Sequence, residues 1–72
     1  MKTFVIGSNW WGEEDICLTI IKADNKENAY RQFIIQHYQN VFGDNAIWNE
    51  EIEPVEDCLL HMEVTCSIIE VP

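Results

Sequence analysis

The sequence predicts an α+β domain: a small three- or four-stranded, mainly antiparallel sheet with one amphipathic helix packed on one face, in the order β-β-α-(β)-β. Three observations lead there. Between Asp24 and Gly43, Tyr30, Phe33, Ile34, His37, Tyr38, Val41 and Phe42 follow the i, i+3, i+4, i+7 spacing of a helix with one buried stripe. Two short β-branched runs precede that helix, and a clean apolar–polar alternation follows it. A chain of 72 residues has room for one core only, so these elements form a single domain over residues 1–72.

Taken in order, Lys2 to Ile6 reads as a first strand ending at Gly7. Gly7-Ser8-Asn9 and Gly12 supply turn chemistry on either side of Trp10-Trp11. Asp15 to Lys22 is a second strand, with Ile16, Leu18 and Ile20 on one face and Cys17, Thr19 and Ile21 on the other. The two strands make a hairpin with a wide loop. Asp24 is the expected N-cap of the helix, Glu27 completes a capping box, and Gly43 fits a left-handed C-cap. Arg31, Gln32, Gln36, Gln39 and Asn40 clothe its outer side, and Ile35 falls at the margin of the stripe.

The stretch Ala46 to Glu53, weakly patterned around Trp48, fits either an edge strand or an acidic loop. Pro54 either ends that strand or opens a short helix in which Val55, Leu59 and Met62 share a face. From Leu60 onward, Leu60, Met62, Val64, Cys66 and Ile68 alternate with His61, Glu63, Thr65, Ser67 and Ile69, the pattern of a strand with one buried face. A crossover through the helix allows this strand to run parallel to the first. The second sheet face then carries Cys17, Thr19, Ile21, Thr65, Ser67 and Ile69, half apolar, and a half-apolar open face on a small domain points to association.

Charge narrows the function. Thirteen Asp and Glu oppose four Lys and Arg, a net charge of −9, and no base follows Arg31. Such a surface repels nucleic acid and anionic membranes, which need Lys or Arg to displace their counterions. It favours basic proteins. Three cysteines, Cys17, Cys58 and Cys66, are an odd number without a spaced framework, so no disulfide-stapled secreted fold is expected. With no signal-like start and no membrane-length apolar run, the expectation is a soluble protein of a reducing cytoplasm.

No catalytic motif is present, and no enzyme activity is expected. Cys58-x-x-His61 has ligand types that zinc accepts, but a second tight pair is lacking and Cys66 falls on the opposite strand face from His61. The acids lack the spacing of a calcium loop. No metal and no cofactor are expected. Trp10, Trp11 and Trp48 sit outside the clean core patterns, and tryptophan anchors many protein interfaces. Adjacent tryptophans on a strand point to opposite faces, so one of the first pair should be exposed.

The expected function is a small acidic protein-binding module that occupies a basic, nucleic-acid-handling surface of a partner protein. Its contact residues are Glu50, Glu51, Glu53, Glu56 and Asp57 with Trp10, Trp11 and Trp48. Carboxylates spaced along an edge mimic phosphates and steer association, and the aromatics supply affinity. In size and charge the chain looks like the small acidic inhibitors that phages and mobile elements direct against host nucleic-acid enzymes or defence systems, a likeness of composition that covers no motif. The alternative is a self-associating structural or accessory protein, possible as a homodimer through the second sheet face. A lesser one is a small-ligand or metal-binding domain using Cys58, His61 and Cys66.

Overall fold

A computed structural model describes all 72 residues. Its elements are strand β1 (Lys2–Trp10), strand β2 (Cys17–Ala23), helix α1 (Lys26–Phe42), helix α2 (Val55–His61) and strand β3 (Val64–Val71). The fold is the expected small α+β domain. The three strands form one sheet in the order β2-β1-β3, with both helices on one face.

β1 continues through Gly7-Ser8-Asn9 to Trp10, so the turn expected there lies later, at residues 11–16. Ladder pairing on both sides of the central strand outweighs the local preference of Gly and Asn for turns: Gly7 pairs with Leu18 and with Ser67. Ser8 is buried on the helix side, and its hydroxyl donates to the Cys17 carbonyl at 3.4 Å.

The register inverts the expected use of β2. Phe4 lies opposite Ile21 and Ile6 opposite Thr19, and directly paired residues share a face. Phe4 and Ile6 point into the helix layer, so Ile21 and Ala23 go with them and are buried. Ile16, Leu18 and Ile20 are therefore turned outward, 66%, 73% and 72% exposed. Both sides of β2 are apolar enough to face a core, and the cross-strand register decides between them.

β3 runs antiparallel to β1, not parallel, and begins at Val64 instead of Leu60. Pro54 opens α2, as the second reading of that stretch has it: its fixed φ suits a helix start, and its carbonyl accepts from the Cys58 N–H at 2.8 Å. Leu60 and His61 are thus helical, and Leu60 is exposed. Met62 closes the helix, Glu63 turns the chain at φ 60°, and the strand follows. Residues 46–53 form a loop, so no fourth strand exists.

α1 starts two residues after the expected cap. Asn25, not Asp24, is the N-cap, its side chain accepting from the Asn28 N–H at 2.8 Å. Gly43 ends the helix at φ 110°, with its N–H bonded to the Gln39 carbonyl.

One core holds the layers together. Phe4, Ile6, Ile21 and Val64 meet Ala29, Phe33 and Ile34 from α1, Cys58 from α2 and Met62 at the end of α2. Trp10 stacks on Phe33 with ring centres 6.2 Å apart and meets His37 edge-on at 5.7 Å, closing one end of the core. Only 11 of the 72 residues are buried, so the domain has a thin two-layer core and one bare sheet face.

Candidate functional site: an acidic groove and an open sheet face

The two sides of the molecule carry different chemistry. On the helical side, α1, α2 and the loop between them enclose an open groove of about 710 Å³. Tyr30, Val55 and Leu59 give it an apolar floor, and Glu27, Glu50, Glu56 and Asp57 stand around it. Burial and the nearby Cys66 raise the Tyr30 phenol above its ordinary pKa of 10.0, so it keeps its proton and can donate.

The groove brings together some of the expected contact residues and engages others internally. Glu50 is held by Arg31, whose Nε donates to both carboxylate oxygens at 2.8 and 3.0 Å. The same guanidinium donates from Nη1 to Asn28 at 2.6 Å and from Nη2 to Glu27 at 2.9 Å. Arg31 thereby ties the 43–54 loop to α1 with the fork geometry that Lys lacks. Glu53 lies 3.2 Å from His61 Nδ1, and His61 stacks against Phe42 at 4.4 Å. Glu51, Glu56 and Asp57 are exposed and have no ion pair. Of the five expected acids, these three present free charge.

The tryptophans divide likewise. Trp10, half-buried, packs against the core, and Trp11, at the start of the turn that follows β1, is 58% exposed. Trp48 packs against the core's edge and donates its indole N–H to the Glu53 carbonyl at 2.8 Å, which pins the acidic loop. It also lines a second, apolar hollow of about 370 Å³ with Ile35, Tyr38, Ala46 and Ile47. Ile35 and Ile47 are exposed at its rim.

The thiols offer little chemistry. Cys58 is buried, its Sγ 3.7 Å from Met62 Sδ; burial, aided by Glu53, pushes its pKa up to about 12. Burial pushes Cys66 up to about 11. Cys17 is exposed, and Ser8 of the central strand stands between it and Cys66. His61 lies on α2, not on the last strand, and no cluster of three or more His, Cys, Asp or Glu side chains is arranged to hold a metal ion.

Sequence reasoning missed the outward column Ile16, Leu18 and Ile20 and the groove floor of Tyr30 and Leu59. The first was recoverable in principle, by aligning β2 against Phe4 and Ile6. The second depends on how α2 lies on α1, for which periodicity carries no signal.

Fold and site together define a two-layer α+β domain with an acidic helical side and a half-apolar sheet side that carries no carboxylate. No helix is long and apolar enough to cross a membrane. Compared with protein-family models, curated proteins and solved structures, the chain matches none.

Proposed function

We propose that this protein is a non-enzymatic binding module whose acidic helical side occupies a basic surface of another protein, of the kind that handles nucleic acid. The observation that carries this reading is the groove between α1 and α2. Four carboxylates surround an apolar floor there, and Arg31 beside them is already engaged by Glu27 and Glu50. A Lys or Arg from the partner fits this arrangement, with its aliphatic stem on Tyr30, Val55 and Leu59 and its charged head among Glu56, Asp57 and Glu27. The −9 net charge steers such a partner toward the site. Inhibition of a nucleic-acid enzyme or defence system by carboxylates standing in for phosphates is the form of this function that fits best.

The test separates free carboxylates from paired ones. Glu51→Gln, Glu56→Gln and Asp57→Asn together leave the Arg31 and His61 pairs intact, so the fold is expected to survive. Immobilised wild-type protein should capture a basic protein that moderate salt elutes, and the triple variant should fail to capture it. Equal capture by the folded triple variant sinks the proposal.

A further inference from the structure

The sheet face turned away from the helices differs from every other surface of the molecule. Because directly paired residues share a face, the register lays it out in four rows across β2, β1 and β3. Ile20, Val5 and Ile69 form one row, and Leu18, Gly7 and Ser67 the next. Lys22, Thr3 and Val71 close one end. At the other end Asn9 pairs with Thr65, and Ile16 leans over the adjoining Gly7, its Cγ2 about 3.6 Å from where a Gly7 Cβ would stand. No residue of these rows is acidic, although the chain carries thirteen acids. Lys22 is the one charge on the face, and Ile20, Ile69 and Leu18 are each about 70% exposed.

We propose that this face is the interface of a homodimer, in which a second copy packs sheet to sheet with its strands reversed. The charge distribution selects the occupant. A basic partner meets carboxylates only at the Glu13-Glu14-Asp15 end of this face, whereas a second copy brings both an equally apolar face and the Lys22 that complements that end, and keeps the acidic helical sides of both copies outward in water. Two-fold symmetry places the axis between the sheets, and for aligned packing it runs either along the strands or across them. An axis along the strands sets the aliphatic side of β2 on the polar half of β3, with Leu18 over Ser67 and Ile16 over Thr65. An axis across the strands sets β2 on β2, so that Ile16, Leu18 and Ile20 meet the same column of the other copy. It also brings Lys22, at one end of the face, to the Glu13-Glu14-Asp15 loop at the opposite end of the other copy. Apolar matching and charge matching choose the same axis.

Three strands about 4.8 Å apart and about seven residues long give a footprint on the order of 300–400 Å² per copy. A standard interface takes about 800 Å² per partner. The dimer therefore belongs to the weak, reversible class and forms at roughly tens to hundreds of micromolar. This interface and the acidic groove lie on opposite sides of the molecule, and their salt responses are opposed. Salt weakens capture of a basic partner, but it screens the repulsion between two copies of charge −9 and leaves apolar contact in place.

The experiment is sedimentation equilibrium of the purified protein over that concentration range, at low salt and at about 1 M NaCl, where the Debye length is ~3 Å. A monomer–dimer equilibrium that persists or tightens in high salt is expected. Leu18 and Ile20 are mostly exposed in the single chain, so Leu18→Glu and Ile20→Glu should give folded monomers, with circular dichroism unchanged. Lys22→Glu should weaken the dimer at least severalfold, and Lys22→Glu combined with Asp15→Lys should restore it in part. A wild type that stays monomeric at several hundred micromolar overturns the proposal, leaving the face to another protein or to water. Folded Leu18→Glu and Ile20→Glu variants that still dimerise overturn it too. Failure of the Asp15–Lys22 exchange overturns the reversed-strand arrangement. Loss of basic-partner capture in the groove variant tests the other surface, so the two readings fail independently.

Discussion

At the scale of single residues, burial sorts side chains that look equivalent in the sequence. Ile34 is fully buried and its neighbour Ile35 is 65% exposed; Trp10 packs against the core and Trp11 is surface. The cysteines show the chemical consequence. At pH 8 a thiol-specific reagent should label Cys17 promptly, half-buried Cys66 more slowly, and Cys58 only after denaturant is added, as mass spectrometry of the labelled protein would read. Rapid labelling of Cys58 in the native protein would contradict its burial. Burial also sets an alkaline limit to stability. Both thiols have native pKa values above the ordinary 9.0, about 12 for Cys58 and about 11 for Cys66, so above pH 9 the unfolded chain loses these protons first. Their contribution is complete below pH 9 and falls as pH rises toward 11–12. His37 acts at the other limit. Burial lowers its pKa from 6.5, so the unfolded chain binds the proton more readily, and stability declines as pH falls below that value. Urea midpoints measured against pH should bend downward at both ends.

At the scale of elements, the helix stripe between Tyr30 and Phe42 was legible because periodicity reports directly on which residues a helix can bury together. Its start was not. Asp24 and Asn25 are both competent caps, and the tight passage from β2 through buried Ala23 leaves Asn25 in the extended conformation a cap requires, at φ −154° and ψ 173°. Asn25→Ala should thus cost about 1 kcal/mol in urea denaturation, while Asp24→Ala stays within about 0.5 kcal/mol. The opposite order would place the cap at Asp24. The 54–62 stretch illustrates a real local ambiguity. Leu60, Met62 and Val64 alternate as a strand does, while Val55, Leu59 and Met62 repeat as a helix does. Pro54 with Glu56 and Asp57 in the first turn tips the balance, because carboxylates there complement the helix dipole. The helix so formed builds one wall of the groove.

At the scale of the whole molecule, a thin core and a strong single-sign charge act against each other. With dimensions of 35 × 31 × 19 Å, nearly every pair of carboxylates lies within one Debye length at about 0.01 M salt, where that length is ~30 Å, and few do at about 1 M. The ion pairs of Arg31 and Lys2 weaken with salt too, but they are few beside thirteen acids. The melting temperature should therefore rise when NaCl is increased over that range, as followed by circular dichroism at a concentration too low for dimer. A fall would mean that the ion pairs outweigh the general repulsion. The same distribution leaves one side without carboxylates, and the molecule is best understood through that asymmetry.

The α+β class, the helix and its buried stripe, the exposure of one tryptophan of the pair, and the acidic character are all readable in the chain, because each is a local or additive property. Packing in three dimensions settles which side of β2 is buried, that β3 is antiparallel, and that Glu50 and Glu53 are held by Arg31 and His61 while Glu51, Glu56 and Asp57 stand free. Each of these depends on what lies across a ladder or a turn, and a strand with apolar residues on both sides holds no internal record of its neighbour's register.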